Sequence, residues 1–464
     1  MGAELQKADP VVAPMVAGDE AGDESLNIWI GLRASDHEMF HEFLPLSHVI
    51  SVDDDPPSRI PCSSLEASTR RRVPWGNDEL GTVAGVPSFR SVLNRLAQQT
   101  RPVNILCYHS LPELEWFAAR YPHLRVRAAQ FALKCEIDDK FGLPSLLHAA
   151  GLPAIPSMVV PSGACDYKSL SRELGSSLVA RLRTGASGGG TFLIRNAQDL
   201  SSICARYSDQ FLTLSPYLPG PSFNVNAFIG NQVHVAPPSV QLVGEEPLGS
   251  SPFIYCGNDF SAMAILPESC RRSIMDTTAR IGGELMKAGY RGIFGVDLLY
   301  HEASNTVYAL EINPRFQGST PALCRYQLSR GQKTLVHAFR SEHSQPAQFE
   351  PVNASMMVLH NRSNTPQTVV SHIPSGLYRY RWDDGRFTLT PLPADTIFPS
   401  RFDQVLVRSC PQLGTTVSPH AGLLRAEVLG SVLNPATLKL HKKSSRLANA
   451  LESLVLQKVS ACAA

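Results

Sequence analysis

The 464-residue chain has almost no net charge: 42 Lys and Arg stand against 41 Asp and Glu, and only 18% of residues are charged. No global positive field is present to collect a phosphate backbone or an anionic bilayer, so neither nucleic acid nor a membrane is expected as a partner. No run of 18 uninterrupted apolar residues occurs, and the start MGAELQKADPVVAPMVAGDEAGDES lacks the basic-then-apolar order of a secretion signal. Cys-x-x-Cys pairs and short Cys/His clusters are missing too, so zinc is not expected. The ten cysteines, scattered from Cys62 to Cys462, read as small apolar residues of a cytoplasmic protein.

What the chain does have is a globular balance, 43% hydrophobic and 8% aromatic, with length for roughly three domains. Residues 1–25 carry six acids against one base and no apolar period, which reads as a disordered tail. LNIWIGL (26–32), HVISV (48–52), VNILCYH (103–109) and LRVRAA (124–129) read as short strands, with PELEWFAAR (112–120) as a helix opened by proline. That alternation makes 26–138 a small α/β domain. The pattern changes at Asp138-Asp139-Lys140, where an apolar-striped helix runs to Gly151 and Pro153. Residues 178–236 are mostly strand with a helix over 197–207, and a long helix over 267–289 stops at Gly289. Residues 139–345 read as the second domain. Residues 346–464 read as a separate β-rich domain, with MMVLH (356–360), a hairpin about Asp384-Gly385 and a final helix over 445–459. The basic run Lys439, Lys442, Lys443, Arg446 reads as a solvated helix face, or else as a surface for an acidic carrier.

Chemistry is written in two places. SLVARLR-TGASGGG-TFLIR (177–195) joins two strands through a loop of four glycines, and bare glycine backbone can approach an anion closely. No Lys and then Ser/Thr follows Gly190 and no helix opens there, so neither a Walker A loop nor a dinucleotide fingerprint fits. A hairpin flap over a triphosphate remains, beside the plainer reading of a glycine-rich turn. The second place is RGIFGVDLLYHEASNTVYALEINPRFQGST (291–320). A hairpin centred on Ser304 sets Asp297 directly opposite Glu311, with Asn313 on the same face. Like charges so placed repel, and a hard divalent cation such as Mg²⁺ takes oxygen ligands of this kind together with nucleotide phosphates. A solvated outer face, with Val296, Leu298, Leu310 and Ile312 inside, is the competing reading. Arg315 supplies a planar fork for a carboxylate or phosphoryl oxygen, or a plain salt bridge to a nearby acid.

Asp139-Lys140 with its helix, the glycine flap, a strand ending in SPYL (215–218), and Asp…Glu-x-Asn in this order resemble the ATP-grasp superfamily over roughly 139–340. Within it, GPSFNVNAFI (220–229), PPSVQLVG (237–244), YCGNDF (255–260) and EINPRFQGST (311–320) look most like pheganomycin-type peptide ligases. The resemblance implies an α/β ATP-grasp fold with an N-terminal pre-ATP-grasp domain and a small C-terminal domain. It implies ATP and Mg²⁺ as cofactors, and an acid and an amine joined through an acyl phosphate with release of ADP and phosphate. Lys140 and Arg181 would reach the phosphates. Gly185, Ser187, Gly188, Gly189 and Gly190 would form the flap. Ser215 and the backbone of Tyr217 and Leu218 would read adenine. Asp297, Glu311 and Asn313 would hold Mg²⁺, and Arg315 the substrate carboxylate. Arg181 stands where Lys is usual, Ser215 where the hinge commonly has Glu, and Ser222 where an acid near the ribose is common. An acceptor on a carrier protein and a non-catalytic nucleotide-binding protein are the alternative functions; the oligomeric state is left open, a homodimer included. Trp75, His234 and Tyr255 to Phe260 are candidates for the substrate pockets or for ordinary packing, and Cys256 has no evident base to make it a nucleophile.

Overall fold

Near-continuous apolar runs such as LNIWIGLR leave no polar face for water, so they must be covered on both sides, as strands of a parallel sheet are. In the structure, a computed structural model, Leu26–Arg33 is the central strand of a five-stranded sheet. It pairs in parallel with Leu46–Asp53 and Val103–Cys107, and Cys62–Ser64 and Leu124–Val126 add parallel strands at the edges. The helix Pro112–Arg120 forms where the sequence places it, with proline in the first turn, where its missing N–H costs nothing. The residues described are 25–40, 44–55, 60–72, 84, 86–185, 188–339, 349–393 and 397–456. Residues 1–24 of the tail expected over 1–25, Trp75 and Ser187 lie outside them.

A second, antiparallel sheet has the strand order Met158–Pro161, Phe211–Pro216, Leu178–Leu182, Thr191–Ile194. Its helices Tyr167–Leu174 and Ala197–Arg206 close a core of their own around Leu170, Leu178, Ile194, Leu200, Leu212 and Leu214. The third sheet has 11 strands and contains the Gly292–His301 and Thr306–Asn313 hairpin at one end. Ser222–Ile229 lies next to the hairpin, and the long helix Glu268–Lys287 buries Ile274, Ile281 and Leu285 in the core of this part.

The stretch read as a separate C-terminal domain hydrogen-bonds into this same sheet: Ala354–His360 pairs with Tyr255–Asp259, and Gly422–Leu429 follows it. The hairpin Gly376–Asp383/Arg386–Pro391 turns through Asp384 (φ 50°) and Gly385 (φ 80°), two left-handed residues as a tight two-residue hairpin requires. The final helix begins at Lys442, earlier than expected, and is described to Leu456. Its basic residues are not simply solvated. Arg446 lies 3.6 Å above the Trp382 ring, and Lys439, just before the helix, meets Glu245 at 3.2 Å.

The four-stranded sheet and the hairpin end of the large sheet face each other across a cavity of about 530 Å³. The N-terminal sheet contributes Leu32, Arg33 and Tyr108 to its wall.

Candidate active site

The floor of the cavity is the hairpin. Asp297 pairs directly with Glu311, and Gly295 with Asn313, so the acids and the amide share a face. The register that brings them together is not that of a simple turn. Beyond the acids the ladder runs Leu298 to Ala309 and His301 to Thr306, and the chain reverses through Glu302–Ser304 with Asn305 left-handed. Leu310 is the extra residue of the resulting bulge. The competing reading, a solvated outer face for the acids, puts Leu310 inside with Val296, Leu298 and Ile312; those three are buried, whereas Leu310 lines the cavity beside Glu311.

Asp297 accepts three amide hydrogen bonds, from Asn224 (2.7 Å), Gln241 (2.9 Å) and Asn313 (3.2 Å). Burial and then the facing Glu311 charge push its pKa up to about 6, with Asn224, Arg315 and Asn313 pulling the other way. Lys140 Nζ sits 3.2 Å from Glu311 Oε1 and 3.1 Å from the Gly185 carbonyl, so it bridges the acid cluster and the glycine loop. The carboxylates and the Asn313 amide oxygen are hard donors, and their mutual repulsion suits a divalent cation whose remaining ligands come from phosphates.

The opposite wall carries the glycine loop and Arg181. Arg181 Nη1 donates to the Leu310 carbonyl at 2.9 Å, and its Nε is buried with no acceptor among the described residues. Burial lowers the Arg181 pKa, as expected of a guanidinium lacking a tight counter-ion. Gly188 and Gly190 both have φ of 82°, and a Cβ on Gly188 would fall 1.9 Å from the Phe253 carbonyl oxygen, so the loop lies directly on the 253–254 segment. Of the residues expected to read a base edge, Ser215 is buried on its strand and the Tyr217 N–H is taken by the Ser177 carbonyl at 2.8 Å. The Leu218 N–H has no backbone acceptor among the described residues. Arg315 donates to Tyr108 Oη (3.0 Å) and the Phe316 carbonyl (3.1 Å) and lies over the Tyr108 ring. The cavity wall therefore collects Arg181, Gly188, Ser215, Tyr217, Leu218, Asp297, Glu311, Asn313 and Arg315, with Lys140 and Gly185 joined to it through their contacts.

Several wall residues escape motif reading. Asn224 and Asn226 interrupt an otherwise apolar strand and staple the 317–320 loop, Asn224 accepting from Ser319 and Asn226 from Thr320. Tyr108, Arg33, Gln317 and Arg425 line the cavity from elements far apart in the chain. A lone Arg and Glu within GLLRAEVL, apolar otherwise, was the signal available for Arg425. Tyr255 does line the cavity; His234 is buried on the short strand Val233–Val235. Cys256 is buried and its thiol is pushed up to about 12, first by burial, which removes it as a nucleophile.

Two sheets close on a cavity with a glycine loop on one lip and an acid pair on the other, within a mixed α/β architecture. Residues 137–319 match the family model of the ATP-grasp domain, and this part of the chain is an ATP-grasp domain. A curated relative, the butirosin acyl-carrier protein–L-glutamate ligase of Niallia circulans, is 26% identical over 205 residues, 42% of this chain and 47% of that protein. The chain thus spans about half the length of the curated relative it matches. Among solved structures, the biotin carboxylase domain of Hydrogenobacter thermophilus 2-oxoglutarate carboxylase, complexed with MgADP, ADP and bicarbonate, aligns with a TM-score of 0.57 at 11% identity, covering 87% of this chain and 86% of that one. Phosphoribosylamine–glycine ligase of Thermotoga maritima aligns at 0.55 and 12% identity, covering 93% and 97%. At such identities the likeness is one of fold. No helix among the described residues is long and apolar enough to cross a membrane.

Proposed function

We propose that the chain is an ATP-dependent carboxylate–amine ligase, joining an amino acid or unusual carboxylic acid to an amino acid or peptide amine in a biosynthetic pathway. The single observation that carries this reading is the Asp297/Glu311 pair with Asn313, set across one cavity from Arg181 and the glycine loop. An acid attacks the γ-phosphorus of ATP, giving an acyl phosphate and ADP; an amine then attacks the acyl carbon, giving an amide and phosphate. Asp297, Glu311 and Asn313 would hold Mg²⁺, which when bound supplies charge neutralisation to the phosphates. Lys140, now on Glu311, and Arg181, with its buried orphan Nε, would meet phosphoryl oxygens, and Arg315 would orient the acid. The loop resting on Phe253 would keep water from the acyl phosphate. Incubation with Mg-ATP, a panel of acids and hydroxylamine should give ADP and a hydroxamate; AMP and pyrophosphate would reject the acyl-phosphate route.

The acyl group passing to a carrier protein is the second reading, supported by the name of the Niallia circulans relative. It expects little product with free amines and its recovery when a phosphopantetheinylated carrier is added.

Gly188→Ala tests the loop. With φ at 82° and the Phe253 carbonyl 1.9 Å from the new Cβ, the closed position becomes strained. The KM for ATP should rise about tenfold, the equivalent of about 1–2 kcal/mol, with a smaller change in kcat. An unchanged KM would mean that the loop does not close over the nucleotide.

A further inference from the structure

Five buried guanidinium groups gather where the Gly422–Leu429 strand meets the N-terminal domain; Arg72, which donates to the Leu423 carbonyl, holds Glu66. Arg33 holds Asp36, with Nη2 2.8 Å from Oδ2. Arg325 holds Glu427, with Nε donating at 3.1 Å, and Arg408 holds Glu38 at 3.1 Å. Arg425 is the exception. It is 3% exposed and has no carboxylate within ion-pair reach among the described residues. Among the described residues only its Nη1 donates to protein, to the Gly318 carbonyl (2.8 Å) and the Met356 sulfur (3.7 Å), both neutral. Arg425 is thus the one of these five without a carboxylate partner among the described residues.

A buried charge without a counter-ion is costly. Burial, and then repulsion from Arg33, lower the Arg425 pKa to about 10, so the folded chain carries this cost without an anion of its own. The group is also placed to receive one, because Arg425 lines the cavity. Gln317, on the loop Arg425 grips, lines it too; it is 4% exposed, and neither its Nε2 nor its Oε1 has a partner among the described residues. An amide without a partner and a guanidinium without a carboxylate among the described residues, both on the wall of one cavity, leave donors for an acceptor to fill. Arg315 faces Asp297 and Tyr108, whereas the charged neighbours of Arg425 are Arg33, Asp36 and Glu427; Tyr255 feels both Arg425 and Asp297, so the two sets adjoin within one cavity.

We propose that Arg425 and Gln317 form a second anion subsite in the cavity, and that it takes a non-reacting carboxylate carried by one of the two substrates. A carboxylate would give Arg425 the kind of partner its four neighbours already have, and its two oxygens match the guanidinium fork. The assignment to a substrate rests on the ligase reading; the subsite itself is a statement about binding. The spectator carboxylate comes either from a dicarboxylic acid substrate or from an amino-acid or peptide amine substrate.

The test is equilibrium binding to the full-length protein loaded with Mg²⁺ and a non-hydrolysable ATP analogue, read by calorimetry and thermal shift at constant ionic strength. One arm compares succinate, glutarate and L-glutamate with succinamate, glutaramate and L-glutamine. The other compares L-alanine and L-alanyl-L-alanine with their C-terminal amides. In the arm that holds the spectator group, the carboxylate form should bind about tenfold or more tightly than the amide. Arg425→Met should erase that preference while leaving affinity for the nucleotide analogue within about twofold, and Arg425→Lys should restore part of it. Absence of binding by every carboxylate, equal binding of acids and amides, or an Arg425→Met protein that still discriminates would each overturn the subsite. The wild-type comparison decides even if a variant misfolds. Since no turnover is needed, discrimination without ADP formation would sink the ligase reading alone, and ADP formation without discrimination the subsite alone.

Discussion

Asp297→Asn should abolish ADP formation, by a factor of about 10³ or more, while the metal-free protein becomes more stable at neutral pH. The two effects separate because the acid pair is a cost to the fold and a requirement of the proposed site. Across the hairpin Asp297 faces Glu311, and burial together with that neighbour raises its pKa from 3.8 to about 6. A carboxyl raised on folding binds its proton more tightly in the native than in the unfolded chain. Its contribution is therefore fully present below the unfolded value near 3.8 and is lost as pH rises through about 6. Wild type should lose thermal stability over that window in the absence of divalent ions, and the Asp297→Asn variant, whose amide cannot ionise, should not. The amide oxygen still accepts from Asn224 and Gln241, so the local hydrogen bonds survive in part. Melting at pH 4.5 and 7.5 in chelator, beside ADP release with Mg-ATP, checks both halves. Retained activity, or a variant less stable than wild type only at pH 7.5, would remove the acid pair from the role given to it.

The parts of this arrangement that could be seen beforehand were those fixed over short stretches of chain. Val296, Leu298 and Ile312 alternate with Asp297 and Glu311, and two β-rich runs about a polar turn put the acids opposite each other in the structure as in the sequence. The bulge at Leu310 was invisible, because one extra residue leaves no mark on the pattern, yet it is what corrects the register set by the turn. Strands such as Leu26–Arg33 were legible because burial on both faces demands an unbroken apolar run. Continuity of Ala354–His360 with Tyr255–Asp259 was not, since which strand edges meet is decided by tertiary packing. For the same reason Tyr108 on Arg315, and Arg33 and Arg425 in one cavity wall, belong to no spacing rule. Base reading by the backbone of Tyr217 and Leu218 came from family likeness alone; that the Tyr217 N–H is held by the Ser177 carbonyl could not be read from the chain.

The largest loss of stability should come from Arg325→Met, outside the acid cluster. Arg325 lies in the helix Thr320–Ser329, which follows directly on the 317–319 loop of the cavity wall. Its guanidinium joins this helix to two other parts of the chain: Glu427 on the Gly422–Leu429 strand, and the Ala34–Phe40 turn of the N-terminal domain through Glu38 and the Ser35 carbonyl, both at 3.5 Å. The Glu427 side chain is 0% exposed, so removing its partner strands a carboxylate that water cannot reach. Such a loss costs about 3–5 kcal/mol, far more than the pair contributes relative to an apolar replacement. The double variant Arg325→Met/Glu427→Met should therefore recover most of what the single one loses, in urea unfolding read by fluorescence. The two sites are in contact, so this non-additivity is the signature of the pair rather than of either side chain alone. Because Arg425 lies two residues from Glu427 on the same strand, deleting Glu427 alone also raises the positive charge around Arg425. Glu427→Gln should accordingly bind carboxylate probes more tightly even as the fold weakens. A single Arg325→Met variant that unfolds at the wild-type urea concentration would mean that the ion pair does not hold the N-terminal domain and the large sheet together.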